Sequence, residues 1–469
     1  YFYLVIYIKK KSKGVYRKKP YKKNLFIFGT FFGFGFFLGG IHWITHSLTF
    51  DQSFKILIPF GLIFIPLFLS LFFSLTTLIV GPVLNLNFAS IFLFSGCLAF
   101  SDYLRAKILT GFPWNLWSYS FSWSTEIIQI LNKTGLFAFN LISITIFMLP
   151  AIFFLKISST KKFFLLSMIP LILFSLYLYG SYTVNLNQKN LNKQTERYNI
   201  KVISPNLELR YGLNIEEIKL RLKKLIRYSE PSKNVKTLFI WPEGVFSGYS
   251  YKELLGLNKI FSSSFDKNHF VLFGVNRQDE NKKGIYNSLV IVNNNFEIVQ
   301  EYRKQKLVPF GEFLPFEKFL NKLGLKKITE GHGSFLRGDQ RNNLIIEELN
   351  ILPMICYEII FTDLIQKSDQ NTNLIITISE DGWFGNSIGP YQHFAKGIYR
   401  AVEQNSFFIR SANKGITAII NNKGETIKRL NLNEAGNIEL DVPLIKSENK
   451  NKNDLIFFAV LITYILIFY

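Results

Sequence analysis

Five apolar runs crowd the first 183 residues of this chain, near positions 25–43, 55–79, 86–104, 137–155 and 163–183. Each is long enough to cross a hydrocarbon core of roughly 30 Å. One such run can be a buried helix of a water-soluble core, but five in succession leave a membrane as their medium. A sixth run, over 455–469, closes the chain. The short apolar stretch at residues 1–8 opens on Tyr1 rather than Met. It reads as the remnant of a further span, with an incomplete N-terminus, and no cleavable signal peptide is visible. The expected organisation is a multi-span transmembrane domain over 1–183, an α/β domain over 184–446 and a C-terminal transmembrane helix over 454–469.

The formal net charge of +21 invites a nucleic-acid reading, yet much of the surplus has another use. Lys9, Lys10, Lys11, Lys13, Arg17, Lys18, Lys19, Lys22 and Lys23 crowd between the remnant and the first complete span. Positive loops stay cytoplasmic. Counting outward, 44–54 fall outside, 80–85 inside and 105–136 outside. The loop carrying Lys156, Lys161 and Lys162 returns to the cytoplasm, as the rule requires. Residues 184–453 then face outward, into the periplasm if the cell is a double-membraned bacterium. No aromatic-basic binding motif accompanies the charge, so nucleic acid is not an expected partner.

From about residue 199 to 444 the pattern changes to short β-branched runs alternating with polar helices. Strands are expected at 200–204, 237–240, 270–275, 288–292, 344–347, 351–356, 374–378, 408–411 and 417–420. Ile215, Ile218, Leu222, Leu225 and Ile226 follow helical spacing and predict the inner face of a helix over 214–229. A second helix is expected over 391–406. This is α/β patterning with enough strands for two sheets. No internal repeat is visible, and the tract 447–453 is a polar linker.

Cys97 lies in an expected span and Cys356 in the α/β domain, so no disulfide framework is expected. A lone thiol in an oxidising compartment is a liability unless it is buried or used. Burial as a small structural residue is the bland reading. The neighbours of Cys356 favour use. Cys356-Tyr357-Glu358 follows the apolar run 351–354; upstream stand Trp241-Pro242-Glu243, then Lys304 and Leu307-Val308-Pro309-Phe310-Gly311-Glu312. Glu243, Lys304 and Cys356 each lie just past a strand-like segment, where ligand sites of α/β sheets gather. A carboxylate can take a thiol proton and return it, and a cation can lower the thiol pKa and stabilise an oxyanion. The backbone N–H of Tyr357 is a second oxyanion donor. Singly the signals are weak: Glu243 reads equally as a turn carboxylate, Lys304 as a solvated lysine, Glu312 and Glu358 as salt-bridge partners.

Together, Trp-Pro-Glu, Lys-x-x-Leu-Val-Pro-Phe-Gly-Glu and Cys-Tyr-Glu resemble the nitrilase superfamily, and within it the membrane branch formed by the apolipoprotein N-acyltransferase family. Further segments carry the resemblance: Gly33-Phe34-Gly35-Phe36-Phe37 with Trp43, and Arg105 followed by Leu109-Thr110-Gly111-Phe112-Pro113-Trp114, with Asp102 where Glu is usual. So do Asp381-Gly382-Trp383-Phe384-Gly385, Gly389-Pro390-Tyr391-Gln392-His393 and Asn413-Lys414-Gly415-Ile416-Thr417. The resemblance implies a Glu243–Lys304–Cys356 triad supported by Glu312, Tyr357 and Glu358, in an α-β-β-α sandwich on a bundle of membrane helices. It implies no cofactor. It implies a phospholipid acyl donor and, as acceptor, the N-terminal amine of a diacylglyceryl-cysteine on an apolipoprotein, at the inner membrane of a bacterium. Two departures stand out. Ser379-Glu380-Asp381 occupies a place where Ser-Asn-Asp is usual, and Arg210-Tyr211 replaces an expected Lys-Trp that bears on a loop closing over the site.

Two other readings stay open. A membrane-tethered amidase would use the same triad with water as acceptor. A scaffold or transporter would carry an inactive domain; the intact triad and the lack of an ionisable chain through the spans argue against it. His393 and His332 read as structural and loop residues, and no zinc-like ligand spacing or phosphate loop is present. Finally, residues 313–327 place Phe316, Phe319, Leu320 and Leu323 on one helical face and Lys318, Lys322 and Lys326 on another. Such a helix suits either a lipid headgroup region, with Phe316 and Phe319 guiding an acyl chain, or ordinary packing on its own domain.

Overall fold

The computed structural model describes residues 1–15, 21–279, 284–322, 327, 334–339, 342–366, 371–446 and 453–468, without the side chains of 319–321. It divides into two compact units: residues 1–45, 56–186 and 451–469 in the first, 46–55 and 187–450 in the second. Elements below are numbered in chain order.

The first unit is helical: α1 (Phe2–Val15), α2 (Tyr21–Ile41), α3 (Ile58–Val80), α4 (Phe88–Lys107), α5 (Leu131–Met148), most of α6 (Ser159–Lys193) and α13 (Asn453–Phe468). Among the described residues, four helical stretches are long and apolar enough to cross a membrane: Tyr21–Thr49, Gln52–Val80, Ile127–Phe154 and Ser159–Lys193. The run at 86–104 becomes α4, which is less apolar because Asp102 and Arg105 lie within it. Without a hydrophobic drive between helices in lipid, close backbone approach has to hold them. Gly29 and Gly33 provide it: a Cβ at either would lie within 2.9 Å of the Ser74 or Ser70 Cα on α3. Thr77 Oγ1 also donates to the Leu25 carbonyl at 3.0 Å.

Arg105 corrects the sequence reading. The loop 105–136 is expected to begin at this residue. Arg105 sits instead in the last turn of α4, buried, donating to Asp102 Oδ1 at 2.7 Å and to the Asn115 carbonyl at 3.2 Å. Asn140 on α5 donates to Asp102 Oδ2 at 3.0 Å. The three-residue spacing on one helix face is what lets Asp102 and Arg105 pair.

The second unit contains two six-stranded sheets. Strands β1 (Arg197–Ser204), β2 (Thr237–Ile240), β3 (His269–Asp279), β4 (Gly284–Val292) and β5 (Ile298–Arg303) form the first sheet with β12 (Gly436–Pro443), in the order β12-β1-β2-β3-β4-β5. Strands β6 (Leu344–Ile346), β7 (Leu349–Ile355), β8 (Leu374–Glu380), β9 (Phe407–Asn413), β10 (Thr417–Ile420) and β11 (Thr426–Leu430) form the second, ordered β11-β10-β9-β8-β7-β6. Each has three parallel strands at its centre, β1-β2-β3 and β7-β8-β9. Side chains alternate across β2: Leu238 and Ile240 enter the core shared by both sheets, while Phe239 and Trp241 enter the core on the outer face. Helix α7 (Ile215–Ser229) contributes Ile218, Leu222 and Leu225 to that outer core. An Asn214–Glu217 capping box starts it. Ile215, expected on the same face, is exposed at the first helical position. Short helices α8 (Tyr251–Leu254) and α9 (Asn258–Ser262) follow β2, while α10 (Glu317–Lys322) and α11 (Thr362–Gln366) follow β5 and β7. Helix α12 (Gly389–Gln404) packs on β9 and on the turn after β7. The result is an α-β-β-α sandwich.

Candidate functional site

The parallel strands all end on one edge, and the chemistry collects there. Glu243 follows β2, Lys304 directly follows β5, Cys356 directly follows β7, and Glu380-Asp381 ends β8. Cys356 occupies the left-handed region, with φ of 47°, an uncommon state for a residue with a side chain. That kink turns the strand abruptly into the single turn Cys356–Ile360.

Lys304 lies between two carboxylates and is 1 % exposed. Its Nζ donates to Glu312 Oε1 at 3.0 Å and stands 3.6 Å from Glu243 Oε1. Asn287, in mid-β4, donates through one Nδ2 to both acids, at 2.8 Å to Glu243 Oε1 and 2.7 Å to Glu312 Oε1. The other oxygen of each acid meets backbone: Glu380 N–H donates to Glu243 Oε2 at 3.2 Å, and Val308 N–H to Glu312 Oε2 at 2.9 Å. Gly274 makes room for this arrangement, since a Cβ there would lie 3.0 Å from the Glu243 Cα.

Burial pulls the Lys304 amine down, but the Glu312 and Glu243 carboxylates, with the Cys356 sulfur, reverse it and hold the group as ammonium. Burial also pushes Glu243 up, against the opposing pull of Lys304. The Cys356 thiol is raised by burial and by the Glu243 charge, with Lys304 opposing. At rest the sulfur is therefore a thiol, and a nucleophilic role would require a base to take its proton. Burial raises the neighbouring Tyr357 phenol as well.

Glu358 accepts four hydrogen bonds: from Tyr302 Oη at 2.8 Å, Gln305 N–H at 2.8 Å, Lys306 N–H at 3.1 Å and Ile355 N–H at 2.9 Å. Beneath Cys356 lies a buried charged cluster. His393 Nε2 is 3.2 Å from the Cys356 carbonyl oxygen, and His393 Nδ1 is 3.0 Å from Asp381 Oδ1. Arg410 on β9 donates to Asp381 Oδ2 at 2.5 Å. Burial works against the Asp381 charge, yet Arg410 and His393 hold its carboxyl well below the usual range.

The structure thus brings Glu243, Lys304 and Glu312 into direct contact, with Cys356 within their field and Tyr357 and Glu358 on the same turn. Phe316 is exposed just before α10, with φ of 52°. The side chain of Phe319, along with Leu320, Leu323, Lys326 and His332, lies outside the described residues. Sequence reasoning missed Asn287 and Arg410. Neither carried a local signal, since each lies in a strand that holds other polar residues, Ser288 in β4 and Ser411 and Asn413 in β9.

Comparison with known proteins matches residues 14–149 to the apolipoprotein N-acyltransferase N-terminal domain and residues 212–448 to the carbon-nitrogen hydrolase family. An apolipoprotein N-acyltransferase of Rickettsia prowazekii is 34% identical, covering 94% of this chain and 89% of its own length. One from Rhodopseudomonas palustris is 30% identical, covering 88% and 80%. Among solved structures, a CN-hydrolase superfamily protein from Xanthomonas campestris has 14% identity and a TM-score of 0.38, covering 57% of this chain and 97% of that one.

Proposed function

The chain belongs to the apolipoprotein N-acyltransferase family, and from that premise we propose that Glu243, Lys304 and Cys356 are its catalytic triad. The observation that carries the reading is the buried ammonium of Lys304, 3.6 Å from Glu243 and raised in part by the Cys356 sulfur. Glu243 takes the thiol proton as sulfur attacks the ester carbonyl of a phospholipid. Lys304 and the Tyr357 N–H stabilise the oxyanion. The tetrahedral adduct collapses, the C–O bond breaks, and Glu243 returns the proton to the leaving alkoxide. A thioester on Cys356 and a lysophospholipid result. In the second half, the N-terminal amine of a diacylglyceryl-cysteine attacks the thioester carbonyl and Glu243 takes its proton; the C–S bond breaks, Glu243 returns the proton to the sulfur, and an amide and the free thiol form. Glu312 positions Lys304, and Glu358 positions the turn carrying Cys356.

Four helices apolar enough to cross a membrane support a catalyst that meets two lipid-anchored substrates there. The lysine-rich segment before α2 sets its amino end in the cytoplasm and the α/β unit on the outer, periplasmic side of a bacterial inner membrane. A reporter fused after residue 190 should be active on that outer side, and the reverse result removes the orientation. The catalytic reading is tested by intact-mass measurement after incubation with phospholipid. An acyl adduct should form on the wild-type chain and be absent from Cys356→Ala. Release of free fatty acid without a surviving adduct would favour the amidase-type hydrolase.

A further inference from the structure

Glu380 stands where the family resemblance leads one to expect Asn, and the structure gives that difference a local reason. The residue is 3 % exposed. Its Oε1 accepts from Gly382 N–H at 2.9 Å and its Oε2 from Asn413 Nδ2 at 2.7 Å. Neither donor can turn away. Gly382 offers a backbone N–H, and Asn413 is locked by Leu207, whose N–H it accepts at 2.7 Å and whose carbonyl it donates to at 2.9 Å. Two fixed donors call for two acceptor oxygens, which a carboxyl has and an amide lacks. The same residue presents its backbone N–H to Glu243 Oε2. Lys304 meets the opposite oxygen, Oε1.

Resting on the triad reading above, we propose that Glu380 is a positioning residue for Glu243, and that ionisation of its carboxyl speeds formation of the thioester. The argument is one of charge displacement. When the thiol attacks, negative charge leaves Glu243 and appears on the oxyanion at the Lys304 side. Glu380 Oε2 lies beside Gly244, the residue after Glu243, 3.2 Å from where a Cβ there would stand, so its negative charge is near Glu243 and favours that displacement. Burial pushes the Glu380 carboxyl up to about 8, against its two hydrogen bonds and helped by Glu243 and Asp381. The carboxyl is therefore neutral below that pH and ionised above it. The charged groups facing it are Glu243 after β2, Asp381 beside it (itself paired with Arg410) and Arg221 on α7.

The test is single-turnover acylation of the full chain in detergent micelles with dipalmitoyl phosphatidylethanolamine, read by intact mass from about pH 6 to about pH 9.5. The wild-type rate should rise roughly threefold or more across a midpoint near pH 8. Glu380→Gln and Glu380→Asn should lose that rise, whatever their absolute rates. Asn413→Ala removes a donor that favours the anion and should move the midpoint upward, which tests the proposal without altering the carboxyl. A wild-type profile flat through this range overturns the role of Glu380. So does a rise that persists in Glu380→Gln, or an unmoved midpoint in Asn413→Ala. A wild-type chain that forms no thioester at any pH overturns the triad reading instead.

Discussion

The two units of this protein differ most in what they turn outward. In the helical unit large apolar side chains face outward: Phe163 is 77 % exposed and Phe164 64 %. Its interior mixes apolar side chains such as Phe37, Phe94 and Phe139 with Ser70, Ser74, Thr77, Asn140, Asp102 and Arg105, all buried. In the α/β unit the apolar side chains fill two cores, and buried charge gathers at the strand ends around Lys304 and Asp381 and along α12, at Lys396, Arg400 and Glu403. The difference follows from the surrounding medium. Lipid supplies no gain for hiding a Phe, so large apolar side chains can stay outside while small and polar residues share the helix contacts. Water supplies that gain, so the strands hide Ile, Val and Phe, and the charged groups kept inside are mostly paired with one another.

The comparison breaks first at the charged edge. Glu243→Gln and Lys304→Ala should each slow thioester formation by about 100-fold or more, because in the proposed mechanism each removes the proton acceptor or the oxyanion cation. Near-normal adduct formation in either would reduce that edge to structural ion pairing. Next in size is Arg410→Met, which strands the Asp381 carboxylate in the interior and should cost about 3–5 kcal/mol of stability in a detergent melt. Its pH behaviour has a definite sign. Asp381 is depressed in the folded state, so its pairing stabilises fully above the ordinary carboxylate value of about 3.9 and fades as pH falls below it. The variant should lack that loss on acidification. The smallest effect sharpens the contrast: Phe164→Ala should change stability by no more than about 0.5 kcal/mol, against about 3–5 kcal/mol for Phe273→Ala in the outer core. Equal costs would mean that Phe164 packs against protein rather than lipid.

The legibility of the sequence divides along the same line. Strands β1, β2, β7 and β8 were plain because their β-branched runs are buried on both faces. Strands β5, β11 and β12 escaped because they are polar: β11 and β12 read Thr426-Ile427-Lys428-Arg429-Leu430 and Gly436-Asn437-Ile438-Glu439-Leu440-Asp441-Val442-Pro443. At sheet edges, charge is what prevents unwanted pairing, and it erases the alternation. At the site, Glu243, Lys304, Glu312 and Cys356 stood out as contiguous words beside strand ends. Asn287 did not, since its purpose appears only when β4 brings it between two acids 44 and 25 residues away. Arg410 likewise makes sense only beside Asp381, which another strand supplies. The pairing of Arg105 with Asp102 was missed for a simpler reason: the apolar run was cut just short of it.

The four hydrogen bonds to Glu358 have a mechanical consequence. They come from Tyr302 at the end of β5, from Gln305 and Lys306 just beyond Lys304, and from Ile355 just before Cys356. Strands β5 and β7 belong to different sheets, and stacked sheets can shear past one another with little change in apolar contact. One carboxylate pinned from both sides removes that freedom at the point where it matters. The separation of the two backbone segments that carry the lysine and the sulfur is thereby a fixed dimension of the scaffold, open to adjustment only by changing what Glu358 holds.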